Sequence, residues 1–294
     1  MKDYTDIFKT YLAEEKKASK NTLESYLRDL SQFDLYCTSE GKAPQNADTE
    51  FLNKYLDYLS IHGKSDATCN RILATLRCYF RFLVSKGIVK SNPVDQIHIK
   101  KTAKKLPDVL DSNEIILLLS QPSGNDFKSI RDKAMLEVLY ATGIKVSELI
   151  ELSVTDVNLQ IGILHLRGGK KERIIPIYPA AVKSIADYLV NVRPAIVLED
   201  SEDKLFTNMT GQPMSRQGFW KIIKHYAESA GIKKDITPHT LRHSFAAHLL
   251  ENGAKLSDIK EMLGHSDISS TQIYAQLMKS KYTTAYAKFH PMAR

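Results

Sequence analysis

Through residues 1–98 the apolar positions recur with a three-to-four-residue step, the spacing of helices that share a core. Ile7, Phe8, Tyr11 and Leu12 make a first stripe. Leu23, Tyr26, Leu27, Leu30 and Phe33 make a second, behind Asn21 and Glu24 in capping-box spacing. Phe51, Leu52, Tyr55, Leu56 and Leu59 follow Asp48 or Thr49, and Ile72, Leu76, Tyr79, Phe80 and Leu83 run from Ser65 to a stop at Gly87. These stripes predict a small helical domain. Asn92-Pro93 breaks the pattern, and residues 99–107, with Lys100, Lys101, Lys104 and Lys105 before Leu106-Pro107, read as a basic linker.

From residue 108 to 294 the pattern is again mostly helical, with one interruption. Asp111 and Glu114 cap an apolar run, and a strong helix over Arg131–Tyr140 ends at Gly143. Residues 161–167 and 172–177 then alternate around Gly168-Gly169-Lys170-Lys171, which predicts a β-hairpin. Helical spacing returns over 179–192 and 215–230. Thr237-Pro238 opens a further helix, with Phe245, Leu249 and Leu250 as its apolar stripe, closed by Asn252-Gly253. A short helix over 257–263 stops at Gly264, and another begins near Ser269 or Ser270 and carries Tyr274. The fold class expected is mainly α, in two domains, the second with a small hairpin or sheet.

Composition adds little to that. Hydrophobic residues are 43% and charged residues 26% of 294, and Lys+Arg exceed Asp+Glu by 41 to 34. A net charge of +7 permits a nucleic-acid partner without requiring one. Three cysteines, Cys37, Cys69 and Cys78, with no C-x-x-C, fit reduced thiols. The opening Met-Lys-Asp-Tyr-Thr-Asp has no apolar run, so neither secretion nor membrane insertion is expected, and a cytoplasmic location is.

The chemistry gathers near the end of the chain. Tyr274 supplies a phenol oxygen able to act as nucleophile once deprotonated. Arg242 supplies a fork of donors matching two phosphate oxygens, and His239 and His265 exchange protons near neutral pH. His239 and Arg242, three apart, share a helix face. His239 and His243 also form an i,i+4 pair, which a zinc site could use, but position 240 is Thr rather than the Glu of H-E-x-x-H and no third ligand is apparent. No metal or other cofactor is expected. His243 and His248 are left with structural roles.

H-x-L-R-H over 239–243, L-G-H over 263–265, and a tyrosine nine residues later together resemble the tyrosine recombinases, in particular their Xer-type branch. The resemblance covers nearly the whole chain. It implies a SAM-like core-binding domain at 1–98, a linker at 99–107 and a catalytic domain at 108–294 whose tail contacts a neighbouring subunit. It implies catalytic roles for His239, Arg242, His265 and Tyr274 and for Lys145 in the place of an arginine, a role for Glu148 in orienting its neighbours, and a catalytic lysine near the hairpin tip. Lys170 is preferred for the last, with Lys171 and Arg173 beside it as DNA contacts; Lys20, Arg71 and Arg77 on the first domain are read the same way.

The activity implied is cutting and rejoining of duplex DNA, at a recombination site with two half-sites, through a 3′-phosphotyrosine and without a cofactor. The partners implied are a homo- or hetero-tetramer with a paralogous recombinase, a possible DNA translocase as regulator, and the nucleoid; the role implied is resolution of chromosome dimers. Two departures keep alternatives open. Lys145 stands where the family has arginine in the Gly143-Ile-Lys-Val-Ser-Glu148 segment, and the hairpin tip is shorter than the family's. The alternatives are a mobile-element integrase or resolvase, a type IB topoisomerase-like enzyme, and a DNA-binding protein with impaired catalysis.

Overall fold

A computed structural model of the chain describes residues 4–97, 106–167, 172–197, 203–264 and 271–275. It divides into two compact units, 1–104 and 105–294.

The first unit holds α1 (Tyr4–Glu14), α2 (Lys20–Ser39), α3 (Thr49–Ile61) and α4 (Asp66–Ser85). Each of the last three starts at a polar cap: the side chains of Ser19, Asp48 and Ser65 accept from the backbone N–H three residues on. The cap of α2 is therefore Ser19 and not Asn21, so the helix begins two residues earlier than its Asn21/Glu24 spacing predicts. Phe8, Phe33, Tyr55, Ile72 and Phe80, all from the sequence stripes, are buried together. Burial of a side chain of this size contributes about 1.5–3 kcal/mol relative to exposure. One charge is sealed among them. Asp29 is buried on α2 and accepts from Arg71 at 2.5 and 2.6 Å and from the Thr75 hydroxyl at 2.8 Å, tying α2 to α4.

The second unit opens with α5 (Ser112–Ser120), whose capping box joins Asp111 and Glu114 as the sequence predicts. Next come α6 (Phe127–Thr142) and α7 (Val146–Glu151). The antiparallel sheet β1 (Val157–Asn158), β2 (Ile163–Leu166), β3 (Arg173–Pro176) follows in that order. Leu164 and Leu166 pair across to Ile175 and Arg173, and those four face inward. The two-residue β1 is too short to show a period and was not expected. Then come α8 (Pro179–Asn191), α9 (Arg193–Ile196), α10 (Arg216–Ser229), α11 (Pro238–Glu251) and α12 (Leu256–Leu263).

α6 is the axis of this unit: Ala134, Met135, Leu136, Val138 and Leu139 are all fully buried. It ends at Gly143 in the left-handed region, φ +59°, where a Cβ would collide with the ring of Phe245 on α11. Only glycine lets the end of α6 approach α11 so closely, and Arg242, three residues before Phe245, sits at that approach. Among the described residues, no helix is long and apolar enough to cross a membrane.

Candidate active site

Three helix ends meet around Arg242. α11 begins at Pro238, whose missing N–H is no loss in a first turn, and Thr237 and Thr240 cap each other's backbone N–H at 3.1 and 3.3 Å. One turn in, Arg242 is buried. Its Nη1 donates to Gly143 O at 2.6 Å and its Nη2 to Leu263 O at 2.7 Å. Those carbonyls close α6 and α12, where C=O groups lack intrahelical partners and carry partial negative charge. Burial pushes the Arg242 pKa down, with the Glu148 carboxylate opposing, yet a guanidinium keeps its proton in a protein.

Lys145 is the residue before α7. Its backbone N–H donates to Glu148 Oε2 at 2.7 Å, and its side chain is exposed. Lys145, Ser147, Arg216, Trp220, His239 and Arg242 line one recess of about 410 Å³. His239 is exposed at its edge. Three cationic side chains and an imidazole around one opening suit a phosphate group.

Tyr274 lies in the helical stretch 271–275 and is only 1% exposed. Its Oη is 2.8 Å from Nδ1 of His243, the residue after Arg242. Burial first, then the neighbouring charges of His239 and Arg242, push the His243 pKa down to about 4. The imidazole is thus neutral near pH 7, and in the tautomer with its proton on Nε2 the Nδ1 atom accepts from the phenol. Burial raises the pKa of Tyr274, with Arg242 opposing, so the hydroxyl holds its proton at neutral pH.

The contact of His243 with Tyr274 is what sequence reasoning missed, since it left His243 with a packing role. Its i,i+4 relation to His239 was the one available signal, and it pointed to a metal. Among the described residues, no group of three His, Cys, Asp or Glu side chains is placed to hold one. His248 does pack structurally, its Nδ1 bonding the Tyr140 hydroxyl at 2.9 Å.

The other candidates fall as follows. Glu148 Oε2 serves both the Lys145 N–H and Arg173 Nη2, the latter at 2.9 Å, so it braces the recess from behind. Arg173, expected as a DNA contact beside the hairpin tip, is instead buried, with its Nε donating inward to Met262 O at 2.8 Å. Arg71 spends its guanidinium on Asp29, and Arg77 lies 3.6 Å from Asp95. Lys20 is exposed in the first turn of α2. Lys170, Lys171 and His265 lie outside the described residues.

The model of the phage integrase family matches residues 108–281, and that of the phage integrase N-terminal SAM-like domain matches residues 6–87. The chain belongs to the phage integrase family, the tyrosine recombinases. It is 45% identical to the tyrosine recombinase XerD of Halalkalibacterium halodurans over 95% of this chain and 94% of that one. It is 43% identical to the XerD of Staphylococcus epidermidis over 95% of each. Among solved structures, XerA recombinase matches at 26% identity and TM-score 0.56 over 98% of both chains. XerH bound to a palindromic difH substrate matches at 20% identity and TM-score 0.79, over 96% of this chain and 84% of that one. The chain is therefore a site-specific tyrosine recombinase of the Xer type, an enzyme that cleaves and rejoins DNA.

Proposed function

We propose that Tyr274 is the nucleophile and that the recess formed by Lys145, His239 and Arg242 receives the scissile phosphate. The observation that carries the reading is the convergence of these side chains. Three line one opening, and the phenol is bonded to His243 on the same helix as two of them. In the reaction, Tyr274 Oη bonds to phosphorus, the P–O5′ bond breaks and a 3′-phosphotyrosine remains. Arg242 and Lys145, with His265, hold the charge that grows on the non-bridging oxygens. His239 moves the proton, and a hairpin lysine, Lys170 by preference, protonates the leaving 5′-oxygen. Attack by the 5′-hydroxyl of a second strand reverses the step, with no net loss of phosphodiester bonds.

The 45% identity to a XerD supports a further reading: four subunits, of this chain alone or with a paralogue, act on two half-site pairs in the cytoplasm to resolve chromosome dimers, under control of a DNA translocase. The test of the chemistry is a nicked suicide substrate. The chain forms a covalent adduct that survives SDS, and Tyr274→Phe forms none while binding the same DNA with nearly the same affinity. An adduct with the Phe variant assigns the nucleophile elsewhere.

A further inference from the structure

Arg173 joins the root of the hairpin to α7 and to the end of α12. It is the first residue of β3, and its side chain is buried. Nη2 donates to Glu148 Oε2 at 2.9 Å, and Nε donates to Met262 O at 2.8 Å. The same Glu148 oxygen accepts from the backbone of Lys145 at 2.7 Å, so one carboxylate fixes both the start of α7 and the guanidinium. Met262 precedes Leu263, whose carbonyl accepts from Arg242. Two guanidiniums thus hold adjacent carbonyls at the C-terminal end of α12, where the helix dipole is negative. Gly264 follows, with φ +64°; a Cβ there would lie 2.8 Å from Arg173 Nη1 and 2.9 Å from Cζ. The fit is therefore tight on that side as well.

We infer that Arg173 is a positioning residue for DNA cleavage: it sets Lys145 and Arg242 in place relative to each other by anchoring the start of α7 and the end of α12 to the hairpin. The inference rests on the reading that this recess cleaves DNA. One edge of a guanidinium, Nε with Nη2, serves two acceptors on different elements at once, which an ammonium group with its single nitrogen does less well. The side chain is enclosed and its charge is met by Glu148, so it contributes little to the attraction of DNA. Small displacements of groups around a reacting phosphate have large effects on rate.

The experiment compares Arg173→Ala and Arg173→Lys with the parent chain on a nicked suicide substrate, reading affinity by gel shift and single-turnover cleavage at saturating protein. Cleavage by Arg173→Ala falls on the order of ten- to a hundredfold while affinity is unchanged. Arg173→Lys recovers part of the loss. Dilute guanidinium ion also restores part of the rate to Arg173→Ala, and sodium at equal ionic strength does not. Parent chain and Tyr274→Phe run alongside, and absence of the parent's adduct would refute the recess reading separately.

Affinity that falls in step with cleavage would make Arg173 a DNA contact and overturn the inference; so would unchanged cleavage. If Arg173→Ala does not fold, Gly264→Ala decides, because it intrudes on the guanidinium without removing it. Gly253→Ala is its control, with similar backbone strain at φ +91° and nothing within 4 Å of the added Cβ. Slow cleavage by the Gly264 variant alone supports the inference, and equal behaviour of the two overturns it.

Discussion

At the scale of single residues, two side chains give the proposed chemistry signatures that can be measured. Lys145 reaches the recess with a point charge where the family carries a fork. Lys145→Arg should raise single-turnover cleavage, by up to about a hundredfold, since one well-aligned donor to a developing oxyanion is worth roughly 3 kcal/mol. Affinity should hardly move, because the charge is the same; equal cleavage rates would show a site adapted to lysine. His243 gives a pH signature. Its pKa is about 4 in the folded chain against 6.5 ordinarily, so between those values the unfolded chain binds more protons. Its contribution to stability is full above pH 6.5 and is lost as pH falls through 4. The melting temperature of His243→Asn should therefore decline less steeply than that of the parent over this window; parallel curves would refute the assignment. Arg242, His239 and Tyr274 were legible because the H-x-L-R-H and Tyr spacing carries them. The contacts of His243 and Arg173 were not, because each lies with a partner far along the chain, at Tyr274 and at Met262.

At the scale of elements, the helices followed from apolar period and caps, since those are local properties. Asp111, Asp48, Ser65 and Thr237 stand where the sequence places them as caps. The failures were also local in origin. Ser19 outcompetes Asn21 for the start of α2, and β1 has too few residues to alternate. The link between α2 and α4 was not legible either, because Asp29 sits among apolar neighbours 42 residues from Arg71. It has a measurable consequence. Arg71→Ala leaves a buried carboxylate with Thr75 as its remaining donor in this cluster, and removing one partner of a buried pair costs about 3–5 kcal/mol. Because Arg71 is partly exposed, the lower end of that range is expected, read as a lower urea midpoint for the full-length chain. A midpoint equal to the parent's would mean that the pair is solvated and adds little.

At the scale of the whole molecule, the excess of 41 basic over 34 acidic residues and the cationic recess make DNA affinity fall with salt. Each phosphate neutralised on duplex DNA should contribute about −0.9 to the slope of log K against log salt. A flat dependence between low and moderate salt would show that binding does not run through these charges. Affinity of this kind is largely blind to base sequence, so most encounters of the chain with DNA are with the wrong DNA. An enzyme that makes breaks would then nick wherever it rested. The phenol of Tyr274 is buried and keeps its proton beside His243. On the mechanism proposed, a copy resting on any DNA cuts only once that phenol is uncovered, so attraction to phosphate alone does not make a break.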